Sequence, residues 1–213
     1  MQYDRKHMFA NMCLQLYVGV MELSSITPDP KALRALSHPV RLRILGLLRA
    51  DGPSTASALA VRLRLNSGVT SYHLRQLAQH GFVVDEVERG NGRDRWWKAA
   101  HQSTRAGETD DSTPDGREAS DAFGQAIAVV HTEQLQRAVE ERPLLPISWR
   151  RASTLSDWGL RVTPERAAEL MGALVKVVDG WDEDSADTEN AEDFVVILQT
   201  YPRPGRLGAP EPE

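Results

Sequence analysis

The stretch LRALSHPVRLRILGLLRA, Leu33–Ala50, continued by LNSGVTSYHLRQLAQHGFVV, Leu65–Val84, and ERGNGRDRWW, Glu88–Trp97, decides the fold. Ala32, Leu33 and Leu36 lie on one side of a helix that is entered at Asp29-Pro30 and ends near Ser37. His38-Pro39 breaks it, because proline removes a donor and disfavours helix in the residue before it. The same proline suits the first turn of a following helix. Val40, Ile44, Leu45, Leu47 and Leu48 give that helix the dense apolar face of a core element, and Gly52-Pro53 ends it. Ser54 or Thr55 caps a short helix carrying Ala58, Leu59, Val61 and Leu63. Asn66 marks a turn, Ser67 is a good N-cap for the next helix, and Gly81 ends it. Phe82–Glu88 and Arg93–Lys98 are expected to pair as strands across Gly90-Asn91-Gly92. This order makes a winged helix-turn-helix over 28–100, mainly α with a β-hairpin wing. The shape places one helix in the major groove of double-stranded DNA.

Charge supports that reading once it is divided along the chain. The whole chain carries a net charge of −5. Between Lys31 and Ala100, however, 12 Lys and Arg face 5 Asp and Glu, so a basic module able to neutralise phosphates sits inside an acidic chain. Cys13 is the only cysteine, which excludes an intrachain disulfide and a cysteine-rich metal site and fits a reducing cytoplasm. No apolar run of about 18 residues exists, so no membrane span is expected. Gly-rich phosphate loops, His-Glu-x-x-His and Gly-x-Ser-x-Gly are all missing, so no catalytic residues and no cofactor are expected and an enzyme is disfavoured.

The recognition helix divides into two faces. Thr70, Leu74 and Leu77, with His73 beside them, fall on the core side, and Gly68, Ser71, Tyr72 and Arg75 fall on the other. Gly68 permits close approach. Ser71 donates to or accepts from base edges, and Tyr72 bonds phosphate or packs on a thymine methyl. Arg75 reads guanine or grips phosphate. Ser67 stands where a helix N-terminus attracts phosphate. Arg89, Arg93 and Arg95 surround the hairpin tip and suit backbone or minor-groove contact, with Trp97 pointing inward and Trp96 nearer the surface.

Flanking segments are read from composition and periodicity. Residues 1–27 form an N-terminal extension expected to be disordered, with Met21 reading like a natural start; residues 1–20 lack a signal-peptide cleavage site. Residues 101–118 read as an acidic linker. A long helix over 119–141 carries the stripe Phe123, Ile127 and Val130, with Leu135 and Ala138 less cleanly on it, expected at a dimer interface that sets two recognition helices about 34 Å apart. Beyond it, strands at 155–162 and 194–201 around a helix starting at Thr163-Pro164-Glu165 suggest a small α+β subdomain. The region 119–201 would serve dimerisation or an effector, and Trp149, Trp158 and Trp181 read as core rather than pocket. The proline-rich tail, 202–213, is expected to be disordered.

The segments ALSHPVRLRILGLL, NSGVTSYHLRQLAQHGFVVDE and GRDRWW together resemble the arsenical-resistance-repressor-like (ArsR-like) winged-helix regulators, over roughly Pro30–Ala100. The doubled tryptophan and the later WGLRVTPE resemble an actinobacterial subgroup of them. The resemblance implies a homodimeric repressor, often released from DNA by an effector. It places Ser67, Gly68, Ser71 and Tyr72 at major-groove contacts and Arg93 and Arg95 on the wing. Metal-sensing members carry cysteines in the helix before the recognition helix, whereas TASALAVRLRL has none, and His131 stands without companion ligands. A regulator without a metal-sensing site is therefore expected. The alternatives are a winged-helix docking module that does not bind DNA and a regulator that takes a small-molecule effector in its C-terminal region.

Overall fold

The computed structural model describes residues 24–87, 95–105, 112–185 and 187–206. The chain divides after Leu155 into two units. The first holds β1 (Ser25–Ile26), α1 (Pro30–Leu36), α2 (Pro39–Ala50), β2 (Ser54–Thr55), α3 (Ala56–Leu63) and α4 (Ser67–Gln79). It continues with β3 (Val83–Asp85), β4 (Trp96–Ala99), β5 (Ser103–Thr104), α5 (Pro114–Glu141), a 3₁₀ turn at Arg142–Leu144 and α6 (Ile147–Ala152). The second holds α7 (Pro164–Asp179).

Local chemistry sets the element ends. Asp29 caps α1 by accepting the Ala32 N–H at 2.7 Å. His38 caps α2, its Nδ1 accepting the Val40 N–H at 3.1 Å. Thr55, rather than Ser54, caps α3. Helix α4 ends in a paired closure: Gly81 N–H bonds Ala78 O, and Phe82 N–H reaches back to Leu77 O at 3.0 Å. That geometry needs the positive φ of Gly81, 75°, and it delivers Phe82 into the core at the start of the wing.

The wing is a three-stranded antiparallel sheet in the order β2-β4-β3, with Ser54 opposite Trp97 and Val83 opposite Ala99. Strand alternation buries Val83 and Trp97 and leaves Val84 exposed and Trp96 half-buried. The core gathers Leu33 and Leu36 of α1, Leu42, Ile44, Leu45 and Leu48 of α2, Leu59 of α3 and Leu74 and Leu77 of α4. Phe82, Val83 and Trp97 of the wing and Phe123 and Val130 of α5 complete it.

Several expectations are corrected here. Residues 24–27 are ordered, because β1 pairs in parallel with β5; residues 1–23 lie outside those described. The span 101–118 is not simply a linker. It holds β5 and the first turn of α5, which starts at Pro114 with Thr113 accepting the Gly116 N–H. Arg49 of α2 fastens this segment, its Nε donating to His101 O at 3.0 Å and its Nη2 to Thr104 Oγ1 at 2.8 Å. Burial without a carboxylate lowers the Arg49 pKa to about 10.

The α5 stripe is corrected as well. Phe123 and Val130 are buried against the core of the same chain and have almost no surface left to give to a partner, and Ile127 is partly buried against the same core. Arg34 pairs with Asp115, and Arg43 with Glu133 at 3.3 Å, fastening α5 along both helices. The first part of α5 therefore belongs with 28–100 and not to a separate C-terminal region.

In the second unit, Thr163 caps α7 as expected. Residues 155–162 and 194–201 form no strand, so the expected α+β arrangement is replaced, among the described residues, by one helix flanked by segments without regular structure. A single strand has no ladder to satisfy its backbone, and these two segments do not pair. Trp158 and Trp181 are 81% and 74% exposed, against the reading that they are core. In the tail, residues 204–206 form a turn, and 207–213 lie outside those described. No helix among the described residues is long and apolar enough to cross a membrane.

Phe123→Ala removes a fully buried ring from the chain's own core. It is expected to cost about 3–5 kcal/mol in urea unfolding, independent of protein concentration. A loss below about 1 kcal/mol would contradict this placement.

Candidate nucleic-acid interface

Helix α4 is held by its inner face. Thr70, Leu74 and Leu77 are fully buried, and the Thr70 hydroxyl donates to Asn66 O at 3.1 Å, so the one polar group in that row is satisfied. Asn66, not Ser67, is the N-cap, accepting the Val69 N–H at 2.8 Å. Asparagine caps as well as serine does, and this leaves Ser67 as the first helical residue with its hydroxyl free to face solvent. The turn into α4 passes through Arg64 in the left-handed region, φ 55°, an arrangement that costs a non-glycine residue on the order of 1 kcal/mol.

The outer face is open. Ser67, Gly68, Tyr72 and Arg75 are exposed and Ser71 is half-buried, so the structure gathers on one surface the five α4 residues expected from the sequence. Tyr72 is 52% exposed and lies edge-on to His73. No partner among the described residues accepts from the Arg75 guanidinium. A Cβ at Gly68 would come no closer than 3.4 Å to any neighbour, Asn66 Oδ1, so the fold itself does not require glycine there. Asp and Glu are missing between Asp51 and Asp85, a span that includes Arg62, Arg64 and Arg75. The exposed Arg64 and Val69 were missed by the sequence reading, although both flank the capping Asn66.

The wing contributes one described arginine. Arg95 stacks over Trp97 at 4.2 Å from the ring centroid, and its Nε donates to Asp85 Oδ2 at 2.6 Å. Trp97 of β4 stands opposite Asp85 of β3, and Arg95, just before β4, reaches both. Arg95 is thus partly committed to the wing's own structure, although its side chain stays 58% exposed. Arg89 and Arg93 lie outside the described residues. No group of three or more His, Cys, Asp or Glu among the described residues is placed to hold a metal ion.

The titration of the module follows from its packing. His38, His73, His101 and His131 are all held below the ordinary imidazole value. Burial is the first cause in each case, joined by Arg41 at His38, by His38 and then Arg41 at His73, and by Arg49 at His101.

Residues 36–86 match the family model of a helix-turn-helix domain, from the end of α1 to just past β3. No curated protein matches the chain. Among solved structures, the chain is similar to a "Possible transcriptional regulator for arsenical resistance" at 24% identity and a TM-score of 0.29. The match covers 50% of this chain and 93% of that one.

The histidine shifts set a pH dependence of stability. In the unfolded chain the imidazoles return to about 6.5, so below that value the unfolded state binds more protons than the folded one. Stability is full above about pH 6.5 and falls as pH drops toward the lowered folded values. The urea midpoint is expected to be lower at about pH 5.5 than at about pH 7.5, and an equal or higher midpoint at the acidic value would contradict the buried placement.

Proposed function

We propose that this winged helix-turn-helix protein is a sequence-specific DNA-binding transcriptional regulator of the cytoplasm. It acts as a homodimeric repressor with no metal-sensing site. The observation that carries this is the exposed face of α4. Ser67, Gly68, Ser71, Tyr72 and Arg75 are presented together, on a helix fastened by its opposite face, in a span without a single carboxylate. An α-helix so mounted enters the major groove with its N-terminal residues nearest the base edges. Ser71, Tyr72 and Arg75 have the donors and acceptors that groove reads. Arg89, Arg93 and Arg95 act on the flanking backbone or minor groove.

Gly68 separates binding from stability. Glycine inside a helix costs about 0.5–1 kcal/mol relative to alanine, and there is room for a Cβ. Gly68→Ala is therefore expected to leave stability equal or higher while weakening DNA binding, because the methyl stands between the helix and the groove. Ser71→Ala and Tyr72→Ala are expected to lose discrimination, at about 1–3 kcal/mol per lost base contact. Gel shifts on the protein's own upstream region, with unrelated DNA as competitor, read both. Unchanged binding and discrimination in all three variants would contradict α4 as the reading helix, and a wild type that binds no DNA would point instead to the docking-module alternative.

For the dimer, the outer stripe of α5 replaces the inner one. Ala128, Leu135 and Val139 stand at i, i+7 and i+11, all exposed, and continue toward the exposed Leu144 and Ile147. A second copy packing on this stripe brings two α4 helices to one side of a two-fold axis. Leu135→Glu is expected to give a monomer by light scattering with near-wild-type helix content and reduced DNA affinity. A variant that remains dimeric would contradict this surface.

A further inference from the structure

A row of side chains runs from the exposed face of α4 to the start of α2. Tyr72 meets the ring of His73 at 5.3 Å, His73 lies 4.7 Å from His38, and Arg41 stands one turn beyond His38 on α2. His38 Nδ1 accepts the Val40 N–H, so its proton sits on Nε2 and the imidazole turns a donor outward from the cap. Every neighbour that could balance this row is accounted for. Arg43, on the same helix, is already paired with Glu133 of α5. No carboxylate of α2 or α4 faces the row, and no described residue accepts from Arg41.

Two atoms of the row are buried without a partner, Arg41 Nε and His73 Nδ1. An unmet buried polar atom is destabilising, and a charged one more so. After burial, the Arg41 charge holds both imidazoles below their ordinary value, and His38 does the same at His73. A bound anion reverses each of these effects. The N-terminus of α2, twelve residues long, adds its own positive potential at the same place.

We propose that Arg41, supported by His38, His73 and Tyr72, holds a backbone phosphate of bound DNA at the edge of the groove that α4 enters. The site rests on the reading of α4 as a recognition helix, since Tyr72 joins the two surfaces. Its role is positional: a phosphate held at the flank fixes how deeply and in what register α4 lies, without reading sequence.

The experiment is fluorescence anisotropy of a labelled random-sequence duplex between about 50 and 200 mM salt. It compares wild type, Arg41→Gln and Arg41→Lys, each checked for folding by circular dichroism. One phosphate contact contributes about 0.9 to the slope of log affinity against log salt concentration. Arg41→Gln is expected to lower that slope by about 0.9 for each Arg41 engaged, while Arg41→Lys keeps it. A folded Arg41→Gln with the wild-type slope and affinity overturns the phosphate site and leaves the DNA-binding reading standing. Wild type that binds no duplex overturns both. If Arg41→Gln does not fold, phosphate-ethylation interference on the wild type and Arg41→Met decides. A flanking phosphate whose ethylation costs the wild type more than the methionine variant supports the site, and identical patterns overturn it.

Discussion

The burial of Thr70, Leu74 and Leu77 beneath α4 is the constraint on which the other features depend. The two leucines are each worth about 1.5–3 kcal/mol when fully removed from water. They occupy positions i+4 and i+7 from Thr70, so the helix cannot roll about its axis without lifting them from the core. Fixing the inner face fixes the outer one. Tyr72 and Arg75 are exposed, and Ser71 half-exposed, as a consequence of what lies opposite them, and the outer face is held in place by the core beneath it. Helices α1, α2 and α5 supply that core, so the long helix after the wing is a structural member of the module and not an appendage to it.

The two ends of α4 extend the same constraint. At the N-terminus, Asn66 closes the helix with its own side chain and leaves Ser67 open to solvent. At the C-terminus, the Gly81 closure turns the chain so that Phe82 and Val83 enter the core and the wing sheet begins. Trp97 then anchors β4 from the inside while carrying Arg95 on its face, and Asp85 holds the guanidinium from the neighbouring strand. Packing, capping and charge thus position the helix and the wing base as one unit. Arg41 and the two histidines sit where α2 meets that unit, next to the exposed Tyr72.

Much of this was legible because the signals are local. The core face of α4, the His38-Pro39 break, the Gly81 stop and the inward Trp97 all follow from spacing or backbone chemistry that a few residues declare. What the sequence hid was pairing over distance. Two-residue strands such as β1, β2 and β5 have no periodicity to detect; Ser25 finds Ser103 only in space. Thr113-Pro114-Asp115 carries the same helix-start chemistry as Thr163-Pro164-Glu165, yet its acidic, turn-rich setting concealed it and shortened α5 by a turn. The stripe Phe123, Ile127 and Val130 correctly declared burial, but a stripe does not say which chain buries it. FVVILQTY, 194–201, has the composition of a strand, but composition supplies no neighbouring strand.

The central claim is that the exposed face of α4 lies in the major groove. Methylation interference tests it most directly, because dimethyl sulfate marks guanine N7 in the major groove and adenine N3 in the minor groove. The account predicts that methylated guanines block binding in two clusters about one helical turn, 10–10.5 base pairs, apart. Interference confined to minor-groove adenines, with guanine N7 methylation tolerated throughout the bound site, would contradict it.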